Sequence, residues 1–113
     1  MLCQFTVKNF KSIRDEATFD MQAAAISEHE DRIIKDTDGE SYLPVSAVYG
    51  PNGGGKSNVL EALYSLATKV LRPLYATSSN EEVAINMKKL VIEPFAFDEK
   101  TINEPTEFEL FFR

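Results

Sequence analysis

Apolar and polar residues alternate from the start of the chain. In "LCQFTVK" (2–8), Cys3, Phe5 and Val7 fall on one side at a period of two, the spacing of a half-buried strand. "NFKSIRDE" carries turn residues, and "ATFDM" resumes the alternation through Ala17, Phe19 and Met21, so the two runs are predicted to pair as an antiparallel hairpin. Residues 22–43 are polar, with "DTDGES" as a turn signal, and are expected to cross the surface as a connection. "VSAVY" (45–49) is a short β-rich run predicted to be a buried strand ending at Gly50. From Ser57 the period becomes helical: Val59, Leu60, Leu63, Ala67, Val70 and Leu71 are expected to form one apolar face, and Pro73 to stop the helix. "YATSSNEEV" reads as a loop. "LVIEPFAFD" and "EFELFFR" read as two further strands joined by "EKTINEPT", with Phe108, Leu110 and Phe112 sharing a face. The predicted class is α/β: a β-hairpin, a strand–loop–helix unit and further antiparallel strands. Because the pattern is still strand-like at Arg113, residues 1–113 are expected to be the N-terminal piece of a domain incomplete at its C-terminus.

Composition narrows the class without naming a function. The chain has 113 residues and is 43% hydrophobic, enough for one core. No apolar run approaches the ~18 residues of a membrane span, and "MLCQFTVKNFKSIR" lacks the pattern of a secretory signal. Cys3 is the single cysteine, so no internal disulfide exists; it reads as a buried strand residue in a reducing, cytoplasmic setting. His29 reads as a surface residue of the connection. The net charge of -6 is uneven: residues 1–14 hold Lys8, Lys11 and Arg14 without an acid, whereas 15–43 hold nine acids against Arg32 and Lys35. Such a surface is a poor main dock for a phosphodiester backbone, whose nonspecific affinity comes from lysine and arginine.

The chemistry concentrates in "GPNGGGKS" (50–57), which satisfies G-x-x-x-x-G-K-[ST], the Walker A pattern, between an expected strand and an expected helix. Backbone N–H groups that converge on phosphate oxygens form a concave nest needing unusual φ angles, and side chains would obstruct it. Gly53, Gly54 and Gly55 supply bare backbone. The helix tip behind them adds unpaired N–H groups and about half a positive charge. Lys56 supplies a full charge toward the outer phosphates, and the Ser57 hydroxyl is suited to Mg²⁺. The loop is expected to hold a nucleoside triphosphate.

"FTVKNFKSI", followed some 35 residues later by "VYGPNGGGKSNVLEAL", resembles the N-terminal half of an ABC-type ATPase head. The similar groups are the RecF and structural-maintenance-of-chromosomes proteins, and the AAA ATPases of bacterial defence systems and OLD-type nucleases. "EPFAFD…PTEFELFF" is similar to the antiparallel lobe of the defence-type members. The resemblance implies a P-loop NTPase fold, ATP and Mg²⁺ as ligands, and a second head that sandwiches ATP as a homodimer. It also implies motion passed to DNA or to an effector such as a nuclease, with no membrane partner. Carried over residue by residue, Asn52 through Ser57 would wrap the phosphates with Asn58 beside them, Lys56 would be the catalytic lysine, and Lys11 and Ser12 would lie near the adenine or ribose.

The departures bear on activity. Family heads use four apolar residues followed by Asp-Glu as a Walker B strand, but the "DE" of "FAFDEK" follows a run interrupted by Pro94 and leads into a turn. No "LSxG"-like signature is present and no glutamine follows Gln22. The full protein is therefore expected to be an ATPase, and these 113 residues to bind ATP with little or no hydrolysis. A non-catalytic module using nucleotide for stability or dimerisation stays open. So does another P-loop enzyme, although no "NKxD" sequence selects guanine.

Overall fold

Strand β1 (Leu2–Lys8) lies at the centre of the molecule because it is the strand that both edge strands use. β2 (Ala17–Asp20) pairs antiparallel with it, Phe5 opposite Phe19 and Val7 opposite Ala17, as the alternation predicts. β5 (Glu107–Phe112) pairs antiparallel on the other side, with Val7 opposite Phe108 and a bulge between Leu2 and Gln4. The result is a three-stranded sheet in the order β2-β1-β5. The computed structural model describes residues 1–26, 28–76 and 92–113. Among them no helix is long and apolar enough to cross a membrane.

One face of this sheet supplies the core. Phe5, Val7, Phe10 and Ala62 are buried together, with Phe19, Val59, Leu63, Leu66 and Phe108 packed around them. Phe108 lies 6.4 Å from Phe5 in a near-parallel stack and 6.0 Å from Phe10 edge to face, both favoured arrangements of aromatic rings. Thr6 and Thr18, on the other face, bond hydroxyl to hydroxyl at 3.0 Å.

Helix α1 (Lys56–Ala76) covers the core with a face that shares only Val59 and Leu63 with the expected one. Val59, Ala62, Leu63 and Leu66 point inward. Leu60 is 65% exposed, and Val70 and Leu71 are exposed too, as is Ala67. The helix carries two apolar stripes of equal period, and only packing decides between them. Ala62 decides it here, because a small residue lets the helix axis approach Phe10 and the sheet. Pro73 does not stop the helix, which continues to Ala76. Proline there removes the one bond that its N–H would make to the carbonyl four residues earlier, and the helix runs only three residues further.

Three further expectations need correcting. Residues 45–49 form no strand, and Val45 and Tyr49 are exposed, Tyr49 by 89%. A strand exists only with a neighbour to complete its ladder, and none lies alongside among the described residues. The polar connection contains a small antiparallel pair, β3 (Ile34–Lys35) and β4 (Ser41–Tyr42), closed by the Asp36–Gly39 turn. Tyr42 is buried there and bridges to Gln22. Residues 92–95 form no ladder either; residues 90 and 91 of that expected strand, and 77–83 of the expected loop, lie outside the described residues.

Arg113 pairs with Asp36 and with Asp38, tying the end of β5 to the β3–β4 turn. The Thr37 amide and the Arg113 guanidinium hold the Asp36 carboxyl below its ordinary value. That stabilisation is present above the unfolded carboxylate pKa and is lost as pH falls through the lowered folded value. Asp36→Asn should therefore flatten the acid limb of a stability–pH curve below about pH 4, followed by urea unfolding. In the same assay Phe5→Ala should cost about 3–5 kcal/mol, whereas Leu60→Ala should stay within about 0.5 kcal/mol.

Candidate functional site

Residues 50–55 lead into α1 without regular structure. Two glycines make this path possible: Gly53 and Gly55 both have φ of +80°, a region that side chains with a Cβ rarely adopt. Gly54 donates its N–H to the Pro51 carbonyl at 3.1 Å, closing the loop on itself. The Gly55 carbonyl then accepts from Asn58 at 3.0 Å and from Val59 at 3.4 Å, starting the helix. The amides of Gly53, Gly55, Lys56 and Ser57 find no backbone carbonyl among the described residues. Those of Gly55, Lys56 and Ser57 are free donors that a helix start leaves over, and that of Gly53 belongs to the loop before it.

The residues that carry these donors line a cavity of about 280 Å³ together with Ser12, Asn52, Gly54 and Asn58. The first turn of α1 carries no acidic residue, so nothing on the helix neutralises its positive end. Among the described residues no acidic side chain lines the cavity. The Lys56 ammonium folds back into the loop and donates to the carbonyls of Gly50 at 2.7 Å and Pro51 at 2.6 Å. Its charge is thus held beside the cavity by neutral acceptors, with no ion pair among the described residues. Among the described residues no cluster of three or more His, Cys, Asp or Glu side chains could hold a metal ion. A cation here would rest on the Ser57 hydroxyl and on oxygens brought by a ligand.

The other wall comes from the turn after β1. Ser12 receives a hydrogen bond from the Asn58 amide at 2.6 Å, and a Cβ built on Gly55 would stand 3.1 Å from the Ser12 hydroxyl. Ser12 therefore lies against the glycine loop itself. Lys11 does not line the cavity. Its ammonium pairs with Glu61 on the second turn of α1, and its backbone N–H donates to the Glu93 carbonyl at 2.9 Å. Asp98 is taken up elsewhere, paired with Arg14 at 2.9 Å and accepting from the Lys100 N–H at 3.0 Å. The "DE" pair thus lies in a turn and does not line the cavity.

Two residues of this neighbourhood escape a reading of the sequence. Glu61 looks like an ordinary surface position of an amphipathic helix, and its partner lies 50 residues away. Asn9 is fully buried with φ of +54°. Its one sequence signal is that asparagine tolerates the left-handed region better than most residues, at the end of a predicted strand.

Residues 45–113, more than half of the chain, match a family described as "AAA domain, putative AbiEii toxin, Type IV TA system". No curated protein and no solved structure matches the chain. The match begins at Val45 and includes the whole glycine loop, so the places of Lys11 and Ser12 rest on the geometry.

The two left-handed glycines separate two costs. Alanine at either position meets a penalty of about 1–2 kcal/mol for the backbone conformation. At Gly53 a Cβ meets nothing within 4 Å, but at Gly55 it also crowds the Ser12 hydroxyl. Gly55→Ala should therefore destabilise more than Gly53→Ala. Ser12→Ala should recover about 0.5–1 kcal/mol in the Gly55→Ala background and none in the Gly53→Ala background, measured as a double-mutant cycle by urea unfolding.

Proposed function

Because this chain belongs to that family of AAA domains, we propose that residues 50–58 bind the triphosphate of ATP together with Mg²⁺. The supporting observation is the cavity of glycine backbone, helix-start amides and one ammonium, which among the described residues has no acidic lining and leaves those amides without a backbone carbonyl. Asn52, Gly53, Gly54 and Gly55 would present main-chain donors to the phosphates. Lys56 would exchange the Gly50 and Pro51 carbonyls for phosphate oxygens, replacing neutral acceptors with charged ones at little cost in side-chain movement. Ser57 would hold the metal ion, whose charge offsets that of the phosphates, and Asn58 and Ser12 would close the side of the seat. Lys11 would act at one remove, by fixing its turn to Glu61.

The same lining favours binding over hydrolysis by these residues. Hydrolysis needs a positioned water and a group to orient it, and the Asp98-Glu99 pair sits in the Arg14-bound turn. In a whole ATPase of the ABC type, the missing acid and signature would come from further chain and from a second head closing over the nucleotide. Binding would then be converted into movement of DNA or of an effector such as a nuclease, in the cytoplasm. A non-catalytic nucleotide-dependent module is the second reading, and the absence of a carboxylate in the cavity favours it for the described residues.

Saturating Mg-ATP should raise the melting temperature of the chain by several degrees, since ligand at about 100 times its Kd adds about 2.7 kcal/mol. Lys56→Ala should weaken ATP by about 10- to 100-fold, the loss of one charged hydrogen-bonding partner. An unshifted wild-type melting curve would count against the seat, and a shift equal in the variant would remove Lys56 from it. GTP in competition separates an adenine-selective site from a general one.

A further inference from the structure

We infer that Asn9 is a positioning residue for the glycine loop, acting through the turn that carries Ser12. The inference rests on reading that loop as the triphosphate seat. Asn9 is fully buried, and its side chain is committed on every side. Its amide donates to the carbonyls of Thr101 at 2.7 Å, Glu104 at 2.9 Å and Pro105 at 3.3 Å. Its side-chain oxygen accepts the Phe95 N–H at 2.9 Å. Its backbone carbonyl accepts the Thr106 hydroxyl at 2.6 Å. A buried amide in this position is tolerable only with all of these partners in place, because an unpaired one would lose its water without replacement. The direction in which the chain leaves β1 is therefore set by residues 95–106.

That direction matters two residues later. Asn9 and Lys11 both occupy the left-handed region, with φ of +54° and +50°, and the Lys11 N–H is held by the Glu93 carbonyl. Between the strand and the loop the turn has one course, and it ends with the Ser12 hydroxyl against Gly55 and under the Asn58 amide. Asparagine alone among the common residues combines tolerance of this φ with two donors and an acceptor on a short side chain. Glycine would keep the backbone and lose the bonds; aspartate would keep the shape and set oxygen against three carbonyls.

Asn9→Gly, Asn9→Asp and Thr101→Val, the last removing a hydroxyl that holds the Phe95 and Asp98 carbonyls, provide the test. Amide exchange is followed in the nucleotide-free chain, and Mg-ATP affinity is measured beside it. The expected result for Asn9→Gly is exchange faster by about tenfold at Gly54, Asn58 and Val59, with Met21 and Gly39 unchanged, and ATP weakened by about tenfold. Thr101→Val should move the same three amides in the same direction by less, and it decides the matter should both Asn9 variants fail to fold. Unaltered loop exchange in a folded variant, or exchange rising equally at Met21 and Gly39, would overturn the inference and leave Asn9 an ordinary structural residue. Failure of the wild-type chain to bind Mg-ATP would count against the nucleotide reading, while the exchange pattern would still decide the positioning role.

Discussion

A helix can present its bare electropositive end only if the loop before it is held by something other than that end's own donors. The difficulty is sharp here, because four of the eight residues from 50 to 57 are glycine and glycine is the costliest residue to order. The loop solves part of it locally, through the Gly54 bond to Pro51 and the Lys56 bonds to Gly50 and Pro51. The rest comes from outside, through Ser12 against Gly55 and Asn58. None of these contacts consumes the amides of Gly53, Gly55, Lys56 or Ser57. The arrangement is shaped and yet unsaturated, which is the condition for an anion seat that costs little to organise on binding.

The hydrophobic core and this seat are parts of one construction. Phe5, Val7 and Phe10 sit on β1 and its following residues, and the inward stripe of α1 packs on them through Ala62. The same packing sets where the N-terminus of α1 stands relative to the turn at 9–14. A change of helix face would carry Asn58 and Glu61 away from Ser12 and Lys11. Burial therefore fixes the coarse distance between the two halves of the site, and the Ser12–Asn58 and Lys11–Glu61 contacts refine it.

Sequence reading recovered the parts governed by short-range pattern. The β1–β2 hairpin, β5, the helix start and the glycine loop all announce themselves through alternation, period or glycine spacing. It did less well where the outcome depends on distant partners. "VSAVY" has the composition of a strand and lies exposed and unpaired, because composition supplies no neighbour. The apolar positions of α1 allow two faces, and the small Ala62, which a hydrophobic count passes over, selects between them. Ser12 was legible as a residue of interest through the "NFKS" resemblance, but its place against Gly55 follows from a turn geometry with two left-handed non-glycine residues. Asn9 was illegible for the same reason: its partners lie some 86 to 97 positions away.

The central claim is that the free main-chain amides of the loop are the groups that meet the phosphates. It is tested most directly by following backbone amide resonances while adding Mg-ATP, with adenosine as a control lacking phosphate. The account predicts large shifts at Gly53, Gly55, Lys56 and Ser57 with Mg-ATP and none of comparable size with adenosine. Amides that stay still under saturating Mg-ATP, or that respond equally to adenosine, would contradict it.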